Sequence, residues 1–200
     1  FKTPYPDEVT VNMTRILGID PLNAEDLTRA EVEGRLQVMQ LLNFFRKRVP
    51  GFKDARLAGT ATQVGVRESR RIVGEYTLTA DDLLNARKFP DSIAQSGYPI
   101  DIHSSTGEGT ITRRLPDGET YEIPYRCLVP LKAQNLLVAG RCISTTHEAL
   151  ASTRLTPTVM NIGEAAGTAA AISVKQGQSF RSLDVTQLRR KLSEQGVILE

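Results

Sequence analysis

The stretch Gly65-Val-Arg-Glu-Ser-Arg-Arg71 sets Arg67, Arg70 and Arg71 around one acidic residue, Glu68. Guanidinium groups are planar forks of N–H donors that grip a carboxylate or phosphate at two points, so this cluster suits an anionic substrate group. Further on, Tyr98-Pro-Ile-Asp-Ile-His-Ser104 alternates as a strand does, with Asp101 and His103 on one face and Ile100 and Ile102 on the other. A carboxylate on the same face can orient an imidazole for proton transfer, which makes His103 the better catalytic candidate of the chain's two histidines. The bland alternatives are a structural Arg–Glu pair at a sheet edge and a surface histidine. If residues 58–66 and 71–78 are strands, alternation turns at least one of the charged residues between them inward, where it must be paired.

A second constellation can accept an anion from the backbone. In Asn135-Leu-Leu-Val-Ala-Gly-Arg141 the apolar run 136–139 stops at a glycine and predicts a short buried strand. After a polar loop over residues 144–154, Thr156 is placed to cap a helix, with Pro157 in its first turn. The helix is expected to reach Gln176, where Gly177 supplies a left-handed end and Lys175 meets the negative end of the dipole. The free N–H groups of its first turn would face the point where the strand ends. Gly163, Ala166, Gly167, Ala170 and Ala171 form a stripe of small residues. Interior glycines cost about 1 kcal/mol each relative to alanine, so the stripe predicts close packing on a sheet and a Gly167→Leu substitution that destabilises.

The remaining elements must carry these groups. Residues 9–16 read as a strand with Val9, Val11 and Met13 on one side. A long helix capped by Asn23 or Thr28 runs to Pro50-Gly51, its broad apolar face (Val32, Leu36, Met39, Leu42, Phe45) calling for a sheet or other helices to cover it. Thr79-Ala-Asp-Asp82 caps a short helix through Lys88, and residues 91–96 suggest another helical turn. Asp117-Gly118 between residues 110–115 and 120–124 predicts a hairpin. Asp184 caps a terminal helix that turns Leu188 and Leu192 inward.

Composition narrows the function. The chain has 200 residues, 40% of them hydrophobic, and 25 Lys and Arg against 23 Asp and Glu for a net charge of +2. With the charges mixed along the chain, no nucleic-acid or membrane-surface partner is implied. No apolar run approaches the roughly 18 residues that span a bilayer, and the expectation is a protein of a reducing, cytoplasmic compartment. Cys127 and Cys142 make neither a disulfide framework nor a metal-type pair, so no metal site is expected. Ser152 lacks the glycines of a nucleophile elbow, and hydrolase chemistry is not supported. The one Gly-x-Gly, Gly107-Glu-Gly109, sits among Ser, Thr and Glu and reads as a turn rather than as a dinucleotide fingerprint.

Taken together, residues 135–141, Ile143-Ser144, residues 149–154 and Gly163-Glu-Ala-Ala-Gly-Thr-Ala-Ala-Ala171 resemble the last FAD-contacting segment of glutathione-reductase-like flavoproteins, a superfamily that includes the succinate dehydrogenase and fumarate reductase flavoproteins. With residues 65–71, Asp101-Ile-His103 and Tyr125-Arg-Cys-Leu-Val-Pro130 added, the chain resembles more narrowly a bacterial family of FAD-dependent oxidoreductases. The resemblance implies that Gly140, Arg141 and Ile143 approach the ribityl or pyrophosphate part of FAD. It implies likewise that Arg154, Leu155, Thr156 and Thr158 approach the pyrimidine side of the flavin. The family's opening Gly-x-Gly-x-x-Gly turn has no counterpart here, which leads to the expectation of a C-terminal fragment whose N-terminal part, elsewhere in the same polypeptide, holds the rest of the cofactor. That fragment alone is expected to be inactive and to bind FAD weakly or not at all.

The expected fold is α+β, an α/β flavoprotein fragment. Residues 1–130 form a substrate (cap) domain on a mixed or antiparallel sheet with the long helix across it, 131–178 the last strand and helix of an FAD-binding domain, and 179–200 a terminal helix packed on it. The expected activity is hydride transfer between flavin and a small substrate, an anionic one being the candidate, held by Arg67, Arg70, Arg71 and His103. Two other classes stay open: a non-redox binding or scaffold module, and an enzyme that holds a phosphate on the Thr156 helix.

Overall fold

The computed structural model describes residues 1–103 and 109–199, with His103 described by its backbone alone. The chain is α+β and divides into two units, Phe1–Ser69 and Arg70–Glu200.

The first unit is built on one long helix, α1 (Ala24–Arg48). Of the two candidate caps it uses Asn23, whose side-chain oxygen accepts from the amides of Glu25 and Asp26 at 2.8 and 3.3 Å. Glu25 and Asp26 in the first turn and Arg46, Lys47 and Arg48 in the last complement the helix dipole. Gln37 clips Arg15 to the helix, accepting its amide and donating to its carbonyl, both at 2.8 Å. Glu31 does the same for residue 64 by accepting the Val64 amide.

Two expectations fail in this unit. Neither residues 9–16 nor 58–66 form a strand; the ladder there is one isolated bridge, Lys2 to Val9. An alternating sequence becomes a strand only when another backbone satisfies its N–H and C=O groups, and among the described residues none does so here. Val9, Val11 and Met13 are exposed. The apolar face of α1 is likewise covered only toward its C-terminal end, where Leu42 and Phe45 are half-buried, while Val32, Leu36 and Met39 are exposed.

The second unit holds the core. In order it contains α2 (Ala80–Leu84), β1 (Ser92–Ser96), β2 (Ile100–His103), β3 (Thr110–Arg113), β4 (Tyr121–Pro124), α3 (His147–Thr153), α4 (Thr156–Gln176) and α5 (Val185–Glu194). Short 3-10 turns lie at Tyr125–Cys127, Gly140–Cys142 and Phe180–Ser182. Thr79 and Asp82 cap α2 reciprocally, as expected, but the helix ends at Leu84, not Lys88. Residues 91–96, expected as a helical turn, are strand β1, which pairs antiparallel with β4. Asp117-Gly118 does turn the chain, with Gly118 at φ +80°. The strands on either side of it nevertheless belong to different sheets, because β3 pairs with β2. Turn chemistry fixed the reversal, and burial of Ile93 and Ile123, both wholly enclosed, decided the pairing. The Gly107-Glu108 turn lies outside the described residues.

Helices close over these sheets. α4 packs on β1 and α5, and α3 packs on β2. Tyr121, Ile93, Ile123, Ile143, Leu150, Ile162, Leu188 and Leu192 are fully buried. Each such aliphatic side chain contributes about 1.5–3 kcal/mol. α4 ends at Gly177 with φ +64° as expected, while its N-cap is Leu155 in place of Thr156. The small-residue stripe is not its packing face. The buried face is Thr158, Ile162, Ala165, Ala169 and Ser173, whereas Gly163 and Gly167 are exposed and a Cβ added at either meets nothing within 4 Å.

Three extended segments cross beside the helices. Gly74 forms an antiparallel bridge to Pro130 and Leu78 a parallel bridge to Thr145. The amide of Ser144 donates to the Cys127 carbonyl at 2.9 Å. Gly74 is buried at this crossing, and a Cβ there would stand 2.8 Å from the Ser144 Cβ and 3.1 Å from the Arg126 carbonyl. Residues 71–78 therefore run through the core region in bridges rather than as the predicted strand. Residues 136–139, also expected as a buried strand, are extended with one backbone hydrogen bond, from Val138 to the Leu128 carbonyl at 3.0 Å, and Leu136 is exposed. Cys127 is enclosed and Cys142 exposed, both as free thiols.

Candidate functional site

The predicted site residues fall on pieces that the second unit brings together. The Ile72 amide donates to the Cys142 carbonyl at 2.9 Å, so Arg71 lies alongside the Gly140–Cys142 turn. Gly140 takes φ +76°, a conformation open to glycine, with free space where a Cβ would be. Arg141 is exposed, and Ile143 is wholly buried, which leaves its main chain as the part that can face a ligand.

From Cys142 the chain enters a helix that the sequence reading took for a polar loop. Ser144 is pinned by its hydroxyl, 2.9 Å from that of Thr77. The Thr146 hydroxyl accepts from the Ala149 amide at 3.3 Å and so caps α3. In the first turn, a hydrogen bond to its own amide, then the Thr146 hydroxyl and the charges of His147 and Arg71, hold the Glu148 carboxyl below its ordinary value against the small cost of burial. Arg71 thus acts on α3 as well as flanking the Gly140 turn. Ala149 to Thr153 are all buried.

α3 ends at Arg154, whose amide donates to the Leu150 carbonyl at 3.1 Å. Leu155 then begins α4 without any side-chain hydrogen bond to the first-turn amides. Those N–H groups and the positive dipole end are left for another acceptor. Arg154 and Leu155 are half-buried, Thr156 is exposed and Thr158 is buried. Two hydroxyls in this stretch, Thr145 Oγ1 and Thr153 Oγ1, are buried and lack a partner. α4 also packs against the Gly140–Cys142 turn, so the helix that follows Arg154 and Leu155 and the turn that holds Gly140 and Arg141 are neighbouring elements.

The other predicted residues differ in unit, exposure and element. Arg67 belongs to the first unit and is exposed; Arg70 is exposed in the second. No arginine of the cluster is buried, contrary to the inward turn that strand alternation required, because the segment is not a strand. Asp101 is half-buried on β2, which packs against α3. The His103 backbone pairs with Thr110, while its side chain lies outside the described residues. Sequence reasoning missed α3, although Thr146 followed by His-Glu-Ala-Leu-Ala is a capping residue before good helix formers.

A second charged cluster in this unit is closed on itself. The Tyr76 hydroxyl sits 2.9 Å from both Asp82 carboxylate oxygens, and Arg87 donates to the same carboxylate at 2.8 Å. Burial, then the Asp82 bond, pushes the Tyr76 phenol up to about 12. Burial opposes ionisation of Asp82, but the Thr79 amide, Arg87 and Tyr76 outweigh it and hold the carboxyl below its ordinary range. Asp82 is thus held by Tyr76, Thr79 and Arg87, an arrangement that ties residues 76–87 together.

Among the described residues no group of His, Cys, Asp and Glu is placed to hold a metal ion, and no helix is long and apolar enough to cross a membrane. Neither curated proteins nor solved structures gave a match to this chain. The family model for FAD-dependent oxidoreductases matches residues 1–192, and the chain belongs to that family.

Proposed function

We propose that this chain supplies the flavin end of an FAD site and part of the substrate site of an oxidoreductase acting on a small, anionic molecule. The observation that carries the reading is the start of α4: first-turn amides without a capping side chain, with Arg154 just before them in the chain and the buried, orphaned Thr153 hydroxyl preceding Arg154. These are donors, and they fit an electron-rich ring edge. Arg154, Leu155, Thr156 and Thr158 would hold that edge, and Gly140, Arg141 and the Ile143 main chain the adjoining ribityl or phosphate groups. FAD, when bound, accepts or gives the hydride.

The chain's own groups do the rest. The positive helix end and Arg154 favour negative charge on the ring, which raises the tendency of the cofactor to take electrons. Arg71, alongside the Gly140 turn, would bind an anionic substrate group, with Arg70 and His103 of the same unit as further candidates. No Gly-x-Gly-x-x-Gly turn occurs in the 200 residues, so in this reading the adenosine grip comes from other polypeptide, the preceding part of the same protein. The oxidoreductase is read as a cytoplasmic protein without nucleic-acid or membrane partners.

Flavin content of the full-length polypeptide tests the reading. The expected result is a yellow protein from which an Arg154→Ala variant loses FAD several-fold more readily. A colourless protein that takes up no added FAD overturns it in favour of a non-redox scaffold.

A further inference from the structure

Ser152 lies in the last turn of α3 with none of its surface exposed. Its Oγ is 2.7 Å from the Tyr98 carbonyl and 2.7 Å from the Tyr121 hydroxyl. A carbonyl only accepts, so the single hydroxyl hydrogen of Ser152 goes to Tyr98, and Tyr121 must donate to Ser152. The result is a directional relay through three elements: Tyr121 on β4, Ser152 on α3, and Tyr98 just ahead of β2.

Packing alone would be met by an apolar residue in that place. A hydroxyl relay does something more, since it fixes both the distance and the direction between α3 and the start of β2. One residue, Thr153, separates Ser152 from Arg154 and Leu155, which form the whole junction between α3 and α4. Whatever sets the end of α3 against β2 therefore also sets Arg154 and the first-turn amides of α4 against the strand that carries Asp101 and His103.

We propose that Ser152 is a positioning residue of the flavin site, holding Arg154 and the start of α4 in register with β2; the proposal rests on the FAD reading above. The test compares Ser152→Ala, Tyr121→Phe and a packing control, Leu188→Ala on α5, in the full-length protein loaded with FAD. Visible circular dichroism of the flavin, its midpoint potential, FAD affinity and melting temperature are measured together.

Ser152→Ala is expected to alter the flavin dichroism, shift the potential and weaken FAD binding several-fold, while Leu188→Ala lowers melting and leaves the flavin signals as in the parent. Tyr121→Phe keeps the Ser152–Tyr98 bond and should give a smaller change in the same direction; it decides the matter if Ser152→Ala does not fold. Flavin signals that stay at the parent values in both relay variants, whatever happens to melting, overturn the proposal and leave Ser152 a structural anchor. A parent protein that takes up no FAD is a different failure, which removes the function reading and this proposal with it.

Discussion

Ile72 and Cys142 are joined by a 2.9 Å backbone hydrogen bond from the amide of the first to the carbonyl of the second. That contact carries the arginine segment past the Gly140 turn and brings Arg71 within electrostatic reach of Glu148. Glu148 is then a reporter on Arg71. In an Arg71→Ala variant its carboxyl should titrate at higher pH than in the parent, as followed by NMR of the side-chain carbonyl. An unchanged titration would mean that the two groups do not face one another.

Gly74 marks the crossing of the three extended segments. A methyl group there meets the Ser144 Cβ at 2.8 Å and two backbone carbonyls, at Arg126 and Cys127, at 3.1 and 3.3 Å. Backbone cannot yield as a side-chain tip can, so Gly74→Ala should cost about 1–3 kcal/mol in a denaturant titration. A loss near zero would show that the crossing is looser than these distances.

Gly167 gives the opposite sign. It lies within α4, exposed, with nothing within 4 Å of an added Cβ. Gly167→Ala should raise the stability of the isolated chain by up to about 1 kcal/mol through helix propensity alone. Thermal melting of the 200-residue chain checks this, and a destabilised variant would show that the small-residue stripe is packed after all.

Asp82 makes stability depend on acid. Its folded carboxyl is held below the ordinary value of 3.8, so its contribution is complete above that value and is lost as the pH falls through the lower, folded value. Melting temperatures measured from pH 6 downward should show the parent falling at the acid end, with Asp82→Asn less stable at neutral pH and less sensitive to acid. Parallel curves for the two proteins would contradict this.

What the sequence disclosed and what it hid follow one physical line. Helix ends are local chemistry, and Asn23, Thr79, Gly177 and Asp184 announce themselves by type and place. Strand partnership is not local. Asp117-Gly118 identifies a reversal without saying that β3 turns to β2 while β4 turns to β1. Residues 9–16, 58–66 and 136–139 alternate or run apolar as strands do, yet no described backbone completes their ladders. The small-residue stripe misled for the same reason: spacing locates a face of α4, and contacts decide which face is buried. In the site, the start of α4 was legible from Pro157 and its surroundings. The relay of Tyr121, Ser152 and Tyr98 was not, because its members are brought together by folding alone.

The two thiols differ in a way that can be put to use. Burial pushes Cys127 up to about 12, whereas Cys142 stands at the surface. Alkylation of the native chain should therefore stop at one equivalent, and a second label should arrive only as the interior opens. The reagent would then time the unfolding of the second unit, molecule by molecule, without any engineered probe.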